Sequence, residues 1–250
     1  MLRLSLFTTL VMFPIVATAQ STIGPYVSVG GGANFADSVE SSHDTTKIST
    51  DPGPLGVVDL GWGFDNGFRM EVEGSYRSNG INEIATRRGN GLQQPLTNVD
   101  GDMATDAVMA NLTYDIPIGD LGLPIHPYIG AGLGYGWLRL GNAGGNGQAR
   151  FLAPGNNVVT SPDTVAFGSA GAFAYQAIVG APVPLSVLPG LDATLEYRFF
   201  GMARADVSVT RTAAGGNTVN GIVPSSETRN GFEARDDVLL VGLRYAFGTL

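Results

Sequence analysis

The chain contains no cysteine and a single lysine, Lys47. The absence of cysteine excludes a disulfide framework and thiolate metal sites. Charged residues make up only 14% of the 250 residues, and the formal net charge is −8. So few charges do not suit a solvated surface of this size, and the acidic balance argues against nucleic acid as a partner. After Gln20 no window approaches 18 consecutive apolar residues, which excludes helical membrane spans.

The N-terminus has the pattern of a secretory signal peptide. Its parts are a basic start, an apolar core and a small-x-small cleavage site, at residues 1–3, 4–16 and 17–19. We therefore predict that residues 1–19 are removed and that residues 20–250 form one large all-β domain. An uncleaved anchor helix is the alternative, but the apolar core contains Pro14 and is shorter than the roughly 20 residues that a spanning helix needs.

Eight stretches are predicted to form β-strands, and no stretch of comparable length shows the 3.6-residue period of a helix. They cover residues 25–36, 55–64, 68–77, 103–116, 125–139, 164–180, 190–202 and 232–247. The connectors between them alternate in length. Those rich in Gly, Asn, Ser, Thr and Asp are long, at 37–54, 78–102, 140–163 and 203–231, and the others are short, at 65–67, 117–124 and 181–189. Long loops at one end and short turns at the other are typical of an outer-membrane β-barrel.

The first short turn fixes the register of its two strands. Phe64 and Phe68 flank a three-residue loop that ends in Gly67, which suits a hairpin with this glycine in the left-handed conformation. Pairing the two phenylalanines places Trp62 opposite Met70 on an apolar face, with the charged residues of both strands on the other face. A slip of one residue would turn those charges outward. A lipid-facing Arg costs about 2–4 kcal/mol at the bilayer midplane, so the register is strongly specified.

The last strand alternates in the same way over residues 237–247. One face is apolar, and the other carries Arg244, which we expect within reach of Asp192 or Glu196 on the seventh strand. An unpaired edge in hydrocarbon is forbidden, so the last strand must pair with the first near residues 26–35 and close the barrel. Aromatic residues near strand ends would form interfacial girdles. They are Trp62, Phe64, Phe68, Tyr114, Tyr245 and Phe247 toward the short turns, and Tyr76, Trp137 and Phe199 toward the long loops.

Several stretches resemble a known family. The end of the chain resembles the C-terminal assembly signal of outer-membrane barrels, which has a Gly, an aromatic residue and a final Phe, here Gly242, Tyr245 and Phe247. Residues 127–136 and 195–199 are similar to the fifth and seventh strands of small barrels. The chain thus resembles the OmpA-like transmembrane domains and related alphaproteobacterial surface antigens over nearly all of its predicted mature part. One departure is that three residues follow Phe247.

The resemblance implies an eight-stranded antiparallel up-and-down barrel in a Gram-negative outer membrane, with both termini and the short turns in the periplasm. It implies outer-membrane lipid, lipopolysaccharide and the barrel-assembly machinery as partners, and a non-enzymatic structural or surface-interaction role. We expect no second domain, so the peptidoglycan binding of full-length OmpA-type proteins is not implied. The four long loops are predicted to be solvated, mobile surface outside the cell that could contact an extracellular ligand.

Inward-facing charges are the main polar constellation. An eight-stranded lumen is just wide enough for side chains to fill it, so we interpret these charges as an ion-pair plug. They are Asp59, Arg69, Glu71, Glu73, Arg77, Asp115, Asp192, Glu196, Arg198 and Arg244. Asp59 and Glu73 should lie directly cross-strand, a destabilising pair of like charges unless an Arg intervenes. We predict that they share one guanidinium, with Arg198 as the first candidate and Arg77 as the second.

Other functions have less support. Paired carboxylates can do general acid and base work, but a plugged lumen gives a substrate no access. His43 and His126 lie in connectors without catalytic partners, and no His, Cys or carboxylate cluster has metal-ligand spacing, so no catalytic, cofactor or metal site is predicted. A small porin that passes solutes is the alternative function, and it requires a plug that is broken or fluctuates. A soluble secreted β-sandwich or lipocalin-like barrel is the alternative fold.

Overall fold

The computed structural model describes residues 22–40, 45–87, 93–117, 126–141, 143–146, 151–152, 158–159, 163–213 and 225–247. The predicted signal peptide lies outside these ranges, as does His43. Within them, no helix is long and apolar enough to cross a membrane. Eight long strands are β1 Gly24–Ala36, β2 Gly53–Gly63, β3 Phe68–Arg87, β4 Asp102–Asp115, β5 Tyr128–Leu140, β6 Ser169–Pro184, β7 Leu191–Ala213 and β8 Ser225–Ala246.

These strands form a closed antiparallel barrel. Each pairs with its neighbours in sequence, and β1 pairs with β8 from Tyr26 opposite Ala246 to Ala36 opposite Asp236. Every strand of the wall therefore has a partner on both sides. This confirms the predicted eight-stranded fold and the closure by the first and last strands, as a hydrocarbon surrounding requires.

The predicted hairpin register is also confirmed. Trp62 lies opposite Met70, Phe64 donates its backbone N–H to the carbonyl of Phe68 at 2.9 Å, and Gly67 has a φ of 84°. The left-handed φ is one that glycine adopts without steric cost. With this register, Leu60, Trp62, Met70 and Val72 of β2 and β3 are exposed on the outside of the barrel. The charged residues between them are buried inside, namely Asp59, Arg69, Glu71, Glu73 and Arg77.

The long connectors differ from the prediction, because much of their length is strand. Strands β3 and β7 run ten and eleven residues further toward the long-loop end than predicted, and β8 runs seven residues further. Beyond a register shift between Met202 and Ala205, β7 and β8 continue to pair as far as Thr212 opposite Ser225. Loops of this composition were expected to be mobile surface. In the described parts of these connectors the backbone forms paired strands, which do not require alternating side chains.

Short strands complete an upper tier of pairing, which we call the collar. They are Val39–Glu40, Thr45–Thr50, Gln93–Asp100, Ala143–Asn146 and Asp163–Phe167. Each is hydrogen-bonded to the next element around the barrel, so that the extension of β3 is linked through three of them to the extension of β7. Phe151–Leu152 and Val158–Val159 form a separate pair. The collar continues the barrel wall past the aromatic residues at the long-loop end.

Candidate functional site in the barrel lumen

The lumen contains two tiers of different chemistry. The half toward the short turns, which we call the polar tier, is lined by the charged, tyrosine and amide side chains of inward positions. The half toward the long loops, the apolar tier, holds a cluster of buried apolar side chains. All ten predicted lumenal charges lie at inward-facing positions. Eight of them are buried, while Asp115 and Asp192 at the short-turn end are partly exposed.

Arg198 on β7 is the centre of the polar tier. Its Nη1 lies 2.7 Å from Oε2 of Glu73 on β3, so the guanidinium spans the lumen between two facing strands. Its Nη2 and Nε each lie 2.6 Å from Oε2 of Glu196, two residues earlier on its own strand. One guanidinium thus joins two carboxylates in a buried setting, where removing one partner leaves an uncompensated charge.

Two amide side chains complete the contacts of Glu73. Its Oε2 accepts from Nδ2 of Asn111 at 2.7 Å and from Nε2 of Gln176 at 2.6 Å, and Gln176 also donates to Oδ1 of Asn111 at 2.8 Å. The amides come from β4 and β6, so four strands meet at one carboxylate. Gly132 on β5 makes room for them, because a Cβ there would clash with Oδ1 of Asn111. These two amides are missing from the predicted lumenal network, although the parity of their strands places both of them inward.

Of the predicted sharing of one guanidinium by Asp59 and Glu73, the structure shows the contact of Arg198 with Glu73 and not a contact with Asp59. The two residues are cross-strand partners, as expected. Arg198, however, joins Glu73 to Glu196, and in the described chain no cation lies within 4.0 Å of Asp59. Asp59 instead accepts from the hydroxyl of Ser28 at 2.5 Å. Glu196, on the same strand as Arg198, lies nearer to the guanidinium than Asp59 does. Its carboxylate accepts from Nη2 and Nε of Arg198, which were expected to donate to Asp59.

Arg77, the second candidate, lies above the polar tier. Its Nη1 lies 3.2 Å from Oδ2 of Asp236, and its guanidinium lies 3.6 Å from the ring centroid of Phe200. Asp236 on β8 was missing from the predicted lumenal charges. The parity of Arg244, which was predicted to face inward on the same strand, would have found it.

Tyrosines order the short-turn end of the polar tier. Tyr26 donates its hydroxyl to Oε1 of Glu71 at 2.6 Å, and Tyr128 donates to Glu196. The guanidinium of Arg244 lies 5.6 Å and 5.3 Å from the centroids of these two rings. Such distances are those of cation–π contacts.

The remaining charges at this end only partly follow the expected pairing. Arg69 forms an ion pair with Asp115 and lies 4.6 Å from the centroid of the Tyr128 ring. Arg244 was expected to reach Asp192 or Glu196. Asp192 is its cross-strand partner, but the ion pairs of the described chain do not include Arg244. Stacking between two tyrosines replaces the expected carboxylate contact.

The apolar tier was not anticipated. Ile81 of β3, Met103 of β4, Leu138 of β5 and Met202 of β7 pack together there, with Ile48 of the collar against them. A second group of four apolar side chains, Leu55, Val57, Val238 and Leu240, lies on β2 and β8. Val238 and Leu240 are cross-strand partners of Arg198 and Glu196, so this group lies beside the polar tier. Inward positions in this half are apolar at Leu138 and Met202 but polar at the pairs Arg77–Asp236 and Asn34–Asn79, so alternation of polarity could not reveal what fills it.

The chemistry of this lumen is that of packing and charge pairing. Its carboxylates mostly accept from arginine, tyrosine, serine or amide donors rather than facing an open cleft. Within the described residues, no group of three or more His, Cys, Asp or Glu side chains is placed to hold a metal ion. His126 is partly exposed beside Pro127, before β5 begins.

The predicted C-terminal signal occupies the end of β8. Gly242 faces inward and is buried, while Tyr245 and Phe247 lie on the outside with ring centroids 5.1 Å apart. Its recognition by an assembly machinery stays a prediction. Gly248, Thr249 and Leu250 lie outside the described residues.

Comparison with known proteins places this geometry in a family. Residues 5–247 match the family described as outer membrane protein beta-barrel domain. An outer membrane protein of Gluconacetobacter diazotrophicus is 33% identical over 99% of this chain, and the chain spans 64% of that relative's length.

A solved structure shows a similar fold at low sequence identity. A major outer membrane protein from Thermus thermophilus is 14% identical, with a TM-score of 0.51 over 89% of this chain and 100% of that chain. The outer membrane protein OprG from Pseudomonas aeruginosa is 13% identical, with a TM-score of 0.48 over 92% of this chain and 98% of that chain. Family, fold and register agree that the chain is an outer-membrane β-barrel protein and belongs to the outer membrane protein beta-barrel domain family.

Proposed function

We propose that this protein is a non-enzymatic structural or surface-interaction protein of the Gram-negative envelope, comparable to an adhesin or surface antigen, with a plugged lumen. The short turns and both termini face the periplasm in this proposal, and the collar faces outward. Lipid and lipopolysaccharide surround the wall, and the barrel-assembly machinery inserts it. An extracellular ligand would meet the collar, since a strand-built surface on a rigid barrel is a stable platform for recognition.

The observation that carries the proposal is the bridge of Arg198 across the lumen. Glu73 and Arg198 join β3 to β7, and Asn111 and Gln176 tie β4 and β6 to the same carboxylate. Eight strands leave an interior just wide enough for side chains to fill. A solute would have to displace this buried network, then the ion pair of Arg77 with Asp236, and then pass the packed apolar side chains at the long-loop end.

A small porin that passes solutes is the second candidate, because buried ion pairs can exchange partners. Planar-bilayer recordings separate the two functions. We expect refolded protein to leave the bilayer electrically silent, with an established general porin reconstituted in parallel as the positive control. Stable unitary conductance that changes in Arg198→Ala would support the channel and contradict the plug. We expect bilayers that contain only the Arg198→Ala variant to stay silent as well, because the packed apolar tier still blocks the lumen beyond the altered network.

A further inference from the structure

The turn between β6 and β7 exposes large apolar side chains. Val187 is 88% exposed, more than any other large apolar side chain in the described part of the chain, and Leu188 is 45% exposed. The turn is well ordered by hydrogen bonds, since the N–H of Leu185 donates to the carbonyl of Leu191 at 2.9 Å and that of Leu191 to Leu188 at 3.1 Å. The two side chains are therefore held outward by the backbone.

No charge separates this turn from the lipid-facing wall. Residues 164–191, which include all of β6 and the turn, contain no charged residue. The outer face of β6 is apolar along its length, with Phe173 and Val179 exposed, and the apolar surface continues into the turn. Charged and strongly polar residues normally mark where a transmembrane wall leaves the bilayer. At the β6–β7 turn no charged residue marks the end of the wall.

The turn between β2 and β3 provides a contrast within the same molecule. Asp65 and Asn66 are exposed there, directly after Phe64 at the end of the wall. The Asn66 side chain accepts from the backbone N–H of Phe68 at 3.2 Å, which is the local bonding of a solvated turn. The apolar surface of the wall therefore ends at Phe64 in the β2–β3 turn, whereas in the β6–β7 turn it continues through Val187 and Leu188.

Neighbouring strand ends extend the apolar surface around the β6–β7 turn. The carbonyl of Gly190 accepts from the N–H of Ala246 at 2.9 Å, which places the turn beside the end of β8. There Phe247 is 58% exposed, and its N–H donates to Pro25 of β1, next to the exposed Ile23. We call Ile23, Val187, Leu188 and Phe247 the apolar foot.

We propose that the apolar foot is a phospholipid-binding surface, inserted among the acyl chains and glycerol backbones of the leaflet at the short-turn end. Its continuity with the lipid-facing wall argues for lipid, because the two surfaces form one apolar sheet without an intervening charge. In water the exposed Val and Leu would remain hydrated at a free-energy cost proportional to their area. Because the β2–β3 turn is polar, the surface in contact with lipid extends further toward the short-turn end on the β6–β8 side of the barrel than on the β2–β3 side.

Site-directed spin labelling tests this directly, and the absence of native cysteine makes each introduced label unique. The variant Val187→Cys carries the nitroxide in the foot, and Leu188→Cys is a second position in case the first label disturbs the turn. Asn66→Cys is the matched control in the polar turn, and Val241→Cys is the reference in the middle of the wall. Each protein is refolded into phosphatidylcholine vesicles, and power saturation measures collisions with oxygen and with a neutral nickel chelate.

We expect the labels at 187 and 188 to collide more with oxygen than with nickel, as the label at 241 does, whereas the label at 66 shows the reverse order. Labels in the foot that are as accessible to nickel as the label at 66 would overturn the proposal, since the turn would then lie in water. Shielding from both agents with dipolar broadening between labels would also overturn it, because the foot would then face a second copy. The result does not depend on whether the lumen conducts.

Discussion

The two tiers of the lumen fill similar cross-sections of one barrel by different means. In the polar tier, Arg198, Glu73 and Glu196 are linked by short, directional contacts, and each group depends on a specific partner. In the apolar tier, side chains such as Leu138 and Met202 are held by packing alone. Ion pairing requires particular side chains at particular positions, whereas packing only requires that the volume be filled. The polar tier should therefore fail when one member is lost, and the apolar tier should lose stability in proportion to the volume removed.

The largest expected effect comes from Arg198→Ala. Removing the guanidinium leaves Glu73 and Glu196 buried without a cation, and such a loss costs about 3–5 kcal/mol. Urea unfolding in lipid vesicles, followed by the mobility of unheated protein on gels, measures the change. As a control, Arg198→Met combined with Glu73→Gln and Glu196→Gln should cost less than the single substitution, because no buried charge of the triad remains. An equal or larger loss in the triple variant would show that the single loss is one of packing.

Leu138→Ala tests the apolar tier. Leu138 is fully buried in the cluster, and truncation of such a side chain costs about 2–5 kcal/mol, depending on how far the site collapses. We expect Leu138→Met, which keeps the volume, to unfold within about 1.5 kcal/mol of the parent. The same vesicle assay serves for both variants. Similar losses for Met and Ala would mean that shape, and not volume, decides stability in this tier.

The wall around both tiers is tested by Leu60→Arg. Leu60 faces outward opposite Val72, and an Arg on the lipid face costs about 2–4 kcal/mol near the midplane. The loss should shrink when the barrel is held in detergent micelles, because a micelle deforms around the charge. Asp65→Arg, in the exposed turn of the same hairpin, is the matched control and should leave stability unchanged in either surrounding.

The smallest effect is expected from Arg139→Ala. Arg139 forms an ion pair with Asp106 on the outside of the barrel, where both side chains are exposed, so its loss should cost less than about 1 kcal/mol. The comparison with Arg198→Ala isolates the contribution of burial, since both changes break an Arg–carboxylate pair. A loss as large as that of Arg198→Ala would contradict the view that burial makes the polar tier sensitive.

Alternation and connector length were sufficient to predict the barrel. Parity placed Trp62, Met70 and Leu60 outside and Arg69 and Glu73 inside, because a strand has a strict period of two. The need to close every edge gave the pairing of β1 with β8. These inferences depend only on local geometry and on the cost of unpaired backbone or charge in hydrocarbon.

The contact of Arg198 with Glu73 was predicted, but the other contacts across the lumen and the collar could not be predicted in the same way. Parity says that Asp59 and Arg198 both face inward, but the distance between them depends on barrel shear and tilt, which no local pattern specifies. The apolar tier was missed because Leu138 and Met202 are apolar on strands whose outer faces are apolar too. The collar was missed because Thr45–Thr50 and its neighbours pair through backbone groups, without an alternation of polarity.

The pairing of Tyr26 with Ala246 has a consequence for how the barrel is made. The contact that seals the wall joins residues 220 positions apart, almost the whole chain length, and contacts of such sequence separation form slowly. Until it forms, both β1 and β8 present open edges that hydrocarbon does not tolerate. The strands must then insert together with the closure of the barrel. A chain that lacks β8 would have two unpaired edges and no stable state in the bilayer.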